Sequence, residues 1–245
     1  MLPPFLTPRV QTELVRIGRN NDGGYVIAAD SIPATGALVG LGLSDDWSFE
    51  AHFQKLQPVP VTMYDHTVTG KFWLKQFARE LSHGRWPFRY VEYLAFFARA
   101  QNRHVRQKIG YKGLGSIDLD GVLADMPPDQ RVFLKIDIEG AEYRILDQIV
   151  AHQHRLSGAM IEFHAVDLHV DKLAAFVDEF ALPLVHTHAN NYAGVAPDGL
   201  PMVLELSFKR PAPDDRPVTT VTLPIAGLDQ PNNPRTADIP LAGTG

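Results

Sequence analysis

The sequence predicts an α/β fold: a doubly wound, mostly parallel sheet with helices on both faces. Three observations carry this. Short apolar runs bounded by turn residues, such as GALVGLGL (36–43) and VFLKID (132–137), fit strands buried on both faces. They alternate with segments of helical spacing, the pattern that right-handed crossovers convert into a parallel sheet. At 245 residues and 45% apolar, the chain can fill one core, so residues 1–245 are read as a single domain.

Residues 1–35 form an N-terminal extension. In it RIGRNNDGGYVIA is strand-like on both sides of NNDGG, and Asp-Gly-Gly supplies the positive φ values of a tight hairpin turn. GALVGLGL is the first core strand. SDDWSFEAHFQKL reads as a helix capped by Ser44 or Asp45, with Phe49, Phe53 and Leu56 on one face. PVTMYDHTV is the second strand, ending at Asp65.

Residues 71–112 differ in character. They hold ten Lys/Arg against two acids, a local +8 in a chain whose net charge is −5, and ten of the 23 aromatics. This block is read as a helical insertion after the second core strand, with Tyr90, Leu94 and Phe97 as its apolar stripe. DLDGVLADM is a short helix, and VFLKID the next strand. EGAEYRILDQIVAHQHRL is a long helix with Tyr143, Leu146 and Ile149 on one face. SGAMIEFH, the helix DKLAAFVDEFA and the strand PLVHTHA follow. VLELSFKR closes the sheet as an antiparallel edge, and the proline-rich tail 211–245 is expected to lie along the surface.

Composition removes several classes. Without cysteine there are no disulfides and no thiolate metal sites. A pI near 6.0 gives no global sign of nucleic-acid binding, and nothing approaches the roughly 18 apolar residues of a membrane span. MLPPFLTPRV lacks the basic start of a signal peptide. The expectation is a cytoplasmic protein with no membrane partner and no nucleic-acid motif.

Ligands of such sheets bind beyond the carboxyl ends of the strands, where strand order reverses. After the first strand, Gly40 and Gly42 would let a ligand approach the backbone. Asp65 ends the second strand about 20 residues on, where an acid can accept hydrogen bonds from a ribose. Asp45 and Asp46 would repel a pyrophosphate, whereas a cofactor with a cationic amino-acid end would suit them. S-adenosylmethionine, with its sulfonium and α-ammonium, is such a cofactor. At the third strand's end, FLKIDIEGAEYRIL gathers Asp137, Glu139 and Glu142 around Gly140. Favourable charge at a helix N-terminus, worth about 0.3–1 kcal/mol, accounts for Glu139 and Glu142. It accounts poorly for Asp137, which follows a buried lysine-bearing strand and needs a partner.

LKIDIEGAEYRIL resembles the signature of the FkbM-type family of S-adenosylmethionine-dependent methyltransferases. RNNDGGYVI, IEFH, HANNY and LPMVLELSFKR extend the likeness over roughly residues 15–210. LVGLGLSDD departs from the family's usual acid-G-A-N-x-G loop, and Asp65-His66 replaces the usual Glu-Pro while keeping the acid. The resemblance implies a Rossmann-like, seven-strand class I methyltransferase fold and a transferase acting on a hydroxyl of a sugar or other small acceptor. It implies that Gly40, Gly42 and Ser44 hold the methionine end, Asp65 the ribose, and Ser116 and Ile117 the adenine, with Asp137 near the methyl donor.

On the acceptor side, period two puts Glu162 and His164 on one face of their strand, and His186 and His188 on one face of theirs. Asp137, Glu162, His164 and His188 are expected to converge. Either His164 or His188 is a general base, with Glu139 as a further catalytic candidate, or Asp137, Glu162 and His164 bind a divalent metal such as Mg. Half-buried polar residues satisfied by loop backbone are the plainer alternative. The +8 block would cap the cleft and favour an anionic acceptor, unless its aromatics simply face the core. A non-catalytic module binding an anionic partner through that block, and an NAD or nucleotide-sugar enzyme, are the rivals.

Overall fold

A computed structural model describes residues 2–84, 86, 88–113 and 115–241. Strands β1 (Leu14–Gly18) and β2 (Gly24–Ala28) form the expected hairpin, turning through Asn21 and Gly23 at positive φ. The main sheet comprises β3 (Ala37–Leu41), β4 (Val61–Tyr64), β5 (Asn102–Val105), β6 (Val132–Ile136), β7 (Leu156–Phe163), β8 (Leu184–Ala189) and β9 (Leu204–Lys209). Their spatial order is β8-β9-β7-β6-β3-β4-β5. All pairings are parallel except those of β9, which runs antiparallel to both of its neighbours. The order reverses between β3 and β6, so a cleft opens at their carboxyl ends. The fold is a seven-strand, mostly parallel, Rossmann-like sheet.

Two sequence expectations change here. β9 is not an edge; it is inserted between β7 and β8, which explains why all six of its residues are buried. The block 71–112 is not wholly an insertion, because Asn102–Val105 within it is a core strand. Only four residues long and at the sheet's edge, NRHV lacks the apolar run that marks its neighbours. The helices before it, α2 (Gly70–Ser82) and α3 (Phe88–Phe97), are the crossover that carries the chain there. Within them Trp73, Tyr93 and Phe96 face the core, whereas Tyr90 and Leu94 of the expected stripe are exposed. Arg85 of the basic block lies outside the described residues.

Helix α1 spans Ser48–Leu56 and starts two or three residues later than a cap at Asp45 or Ser44 would place it. Ser44 takes a φ of 49° in the preceding turn instead of capping, and Leu56 is exposed. Helices α4 (Leu119–Ala124, capped by Asp118), α5 (Leu146–Ala151) and α6 (Val170–Glu179) pack on the sheet's other face. The long helix expected over 139–156 is thus one short helix flanked by single 3-10 turns at Glu142–Arg144 and Gln153–Arg155. The hairpin and α1 cover the first face, where Phe49, Phe53 and Phe133 pack together.

The tail is more than a surface strap. Arg216–Pro217 pairs with Val10–Gln11, and Leu223 and Leu241 bridge and are buried. Asp229 and Asp238 return to meet the buried histidines of β8. No helix among the described residues is long and apolar enough to cross a membrane.

Candidate functional site

Two cavities meet at the switch point. The smaller, about 220 Å³, is lined by Gly42, Leu43, Ser44, Asp65, Lys108, Ile109, Asp137 and Glu139 among others. The larger, about 390 Å³, is lined on one side by hairpin residues Arg19, Asp22 and Tyr25, and beneath by Glu50, Lys135, Asp137, Glu162 and His164. Leu43, Ser44, Asp137 and Glu139 form a wall common to both.

That wall exists because β3 and β6 end together. Asp137 N–H donates to Leu41 O at 2.8 Å, and Gly42 lies so close that an added Cβ would sit 1.7 Å from Asp137 O. With φ at +94°, Gly42 is there for the close approach of two strand ends. Gly40 has a different task. It points at Met63 and Glu50 from within the strand and lines neither cavity.

Asp65 sits at the end of β4 as expected, yet its oxygens are engaged by the chain. Oδ2 accepts from the N–H groups of Leu43 and Ser44, both at 3.0 Å, and Oδ1 accepts from Thr67 N and Oγ1. Burial works against its charge, but these hydrogen bonds outweigh burial and hold the carboxyl below its ordinary value. The N–H groups of the loop after β3 are therefore occupied by Asp65. Ser116 and Ile117 do not line the smaller cavity: they pair behind Lys108 and Ile109, which do. Ser116 Oγ donates to carbonyls of its own exposed turn.

The three acids of DIEGAE divide in role. Glu142 is fully buried, and its Oε1 accepts from Ile138 N–H (3.0 Å), Gly140 N–H (3.2 Å) and His164 Nδ1 (3.1 Å). It braces the loop from inside. Glu139, at φ 54°, is almost wholly exposed at the rim, with Oε2 3.5 Å from His164 Nε2. Asp137 faces both cavities; Lys135 Nζ and Tyr25 OH each lie 3.5 Å from its Oδ2.

Glu162, on the neighbouring strand, accepts from Tyr25 OH (3.0 Å) and Asn190 Nδ2 (2.8 Å). Burial, with Asp137 and Glu205 nearby, pushes its carboxyl up to about 8. His164 Nε2 lies 4.0 Å from both Asp137 Oδ1 and Glu162 Oε1. Burial opposes its charge, but Glu142, Glu162 and Asp137 prevail and raise it to about 9. Ligand atoms of Asp137, Glu162 and His164 all lie within 4.8 Å of one another, an arrangement able to hold a cation.

His188 does not join them. It is 2% exposed, and both ring nitrogens are taken, Nδ1 by Glu205 and Nε2 by Asp238, each at 3.0 Å. Burial disfavours the charged ring, yet the two carboxylates raise it to about 10. It is a buried imidazolium that ties the tail to the sheet, not a base facing the cleft. His186 is likewise bound, to Asp229 at 3.1 Å.

Sequence reasoning overlooked the floor of the larger cavity. Tyr25, Lys135 and Glu50 line it, and Glu50 is 1% exposed with a carboxylate oxygen that lacks a hydrogen-bond partner. Burial lifts Glu50 to about 7, against the pull of Lys135. The available signal was a lysine inside an apolar strand, which demands buried acids nearby. Of the block 71–112 expected to cap the cleft, Gln107, Lys108 and Ile109 line the smaller cavity; its α2–α3 part does not cap the cleft, since none of the described residues of 70–97 lines either cavity. It braces the Ser44–Trp47 turn instead, through Arg89 to Asp46 (3.1 Å) and Gln76 to Asp45 (3.2 Å).

A scan against protein-family models finds no match, and no curated protein sequence matches. Similar solved structures include a precorrin-6Y C5,15-methyltransferase from Geobacter metallireducens, at 15% identity over 74% of this chain and 86% of that one, TM-score 0.42. An rRNA methylase from Streptococcus thermophilus shows 12% identity over 73% and 89%, TM-score 0.39. An S-adenosylmethionine-dependent methyltransferase from Clostridium acetobutylicum shows 6% over 72% and 84%, TM-score 0.38.

Proposed function

We propose that the chain is an S-adenosylmethionine-dependent methyltransferase. On this reading the cofactor occupies the smaller cavity, and a hydroxylated small molecule the larger. The observation that carries this is the wall common to both, with Asp137 facing each cavity at the point where the sheet order reverses. The donor set fits the cofactor. Asp137 and Glu139 offer carboxylates to a sulfonium and an ammonium, Asp65 lies where ribose hydroxyls would exchange with the loop N–H groups, and Tyr64, Ile109 and Ile138 give apolar cover. The cofactor supplies an electrophilic methyl group, and the chain's share is to align the acceptor with it.

The larger cavity supports O-methylation, because a hydroxyl that attacks the methyl group must lose a proton. Neutral His164 is placed to take it, held in orientation by Glu142. With its pKa near 9, His164 is protonated at neutral pH and accepts a proton only once deprotonated. Five acids (Asp22, Asp45, Asp46, Asp137, Glu139), besides Glu50 and Glu162 whose burial favours the neutral carboxyl, line this cavity against Arg19, Lys135 and His164. This balance favours a neutral or positively charged acceptor over an anionic one. A second reading places a divalent ion on Asp137, Glu162 and His164, which would lower the pKa of a coordinated hydroxyl.

Calorimetric titration with S-adenosylhomocysteine tests the assignment. A Kd in the micromolar range, roughly −8 kcal/mol, is expected, weakened at least about tenfold by Asp65→Ala, a loss of about 1.4 kcal/mol. Absence of heat, together with no thermal shift, overturns it.

A further inference from the structure

The outer face of the α2–α3 pair is apolar and exposed among the described residues. On α2, Leu74, Phe77, Ala78 and Leu81 recur at i, i+3, i+4 and i+7, so they form one stripe, and all four are exposed. The buried side of the same helix is held by Trp73. The apolar surface continues through Trp86 and Phe88, 69% and 62% exposed, onto Val91 and Leu94 of α3. Eight of the large exposed hydrophobic side chains of the described residues thus come from one hairpin. Beside the stripe run Lys71, Lys75 and Arg79, four residues apart and exposed.

We propose that this face docks on an anionic lipid surface, with α2 lying in the headgroup plane. A helix with an aromatic and aliphatic face flanked by Lys and Arg has the chemistry of interfacial insertion, apolar burial assisted by attraction to anionic lipid. Charge complementarity favours this occupant. Residues 70–97 hold five Lys/Arg (71, 75, 79, 85, 89) against Glu80 and Glu92, a local +3 in a chain of net −5, so this face is basic while the rest of the molecule is negative. A second copy would bring two basic stripes together. None of these side chains lines either cavity of the cleft, so the face lies apart from the candidate site. Peripheral docking departs from the sequence expectation of no membrane partner, which concerned spanning segments. Through Gln76–Asp45 and Arg89–Asp46, the docked hairpin would lie against the turn that lines both cavities.

The test uses the full chain with vesicles of phosphatidylcholine alone or mixed with phosphatidylglycerol. Trp47 and Trp73 are buried, so Trp86 reports insertion by a blue shift of its emission. Flotation with the anionic vesicles, weakened by salt and accompanied by that shift, is expected. Joint Lys71→Gln, Lys75→Gln and Arg79→Gln substitution should lower partitioning about a hundredfold, near fivefold per charge. Phe77→Ser should weaken it with the charges intact; both variants lie on the surface, and unchanged circular dichroism confirms their folding. The proposal fails if the protein floats with neither vesicle, or equally with both, or if the charge variant binds unchanged. It also fails if the face instead mediates concentration-dependent dimerisation, or binding to polyglutamate, without vesicle binding.

Discussion

Asp137 and Glu142 are five residues apart in one loop, and the chain uses their charges in opposite ways. Asp137 meets two cavities, while Glu142 satisfies two backbone N–H groups and an imidazole beneath them. Removing Glu142 leaves those donors buried without partners, so Glu142→Ala should cost about 2–4 kcal/mol, read as a lower urea midpoint; an unchanged midpoint rejects the bracing role. His164 gives a kinetic prediction. A base with a pKa near 9 is active when deprotonated, so kcat/KM for methyl transfer should rise with pH up to a plateau above about 9. His164→Gln should abolish that rise while leaving S-adenosylhomocysteine affinity within about twofold, well under 1.4 kcal/mol. A profile flat between neutral pH and 10 removes His164 as the base. Residue types at strand ends were legible in the sequence: Asp65, Asp137, Glu162 and His164 stand where period and position put them. Their partners were not, because Tyr25 and Glu50 reach the cavity from elements distant in sequence.

At the scale of elements, apolar runs betrayed strands such as Ala37–Leu41 and Val132–Ile136, and the short edge strand Asn102–Val105 was hidden by its own polarity. Which helix face is buried was misread for α3, since periodicity reports an apolar stripe without saying whether the stripe points inward. The tail had no period to read, because its residues are held by single polar anchors such as Asn232 to Glu205 (2.7 Å) and Asp229 to His186. The β3–β6 junction allows a sharp test. Gly42 combines positive φ with the closest backbone approach in the sheet's cleft, so Gly42→Ala forces β6 away from β3. The expected loss is at least about 2 kcal/mol, or roughly 4–8 °C in melting temperature for a domain of this size. Gly40→Ala would meet only the flexible end of Met63 and the Glu50 side chain, so it should cost less. Equal losses would refute the distinction.

For the molecule as a whole, protons stabilise the fold over an unusually wide range. Glu50 and Glu162 have folded pKa values raised to about 7 and about 8, and His188 to about 10. In each case the folded chain binds protons that the unfolded chain has already released, so stability falls as pH rises between the unfolded and folded values. For His188 the stabilisation is complete below its unfolded pKa of 6.5 and is lost as pH climbs through about 10, when the imidazolium between Glu205 and Asp238 loses its charge. The steepest slope one such group can give is about 1.4 kcal/mol per pH unit. Glu162 and His164 also titrate between pH 8 and 10, so the difference in slope between the natural protein and His188→Gln, rather than the slope itself, isolates His188 and the tail contact it makes. Urea midpoints should decline across that interval in the natural protein. The decline should flatten in His188→Gln, whose midpoint starts lower at pH 7 because Glu205 and Asp238 then face each other across a neutral side chain. If both proteins kept the same slope above pH 8, the tail would not be held by a buried imidazolium.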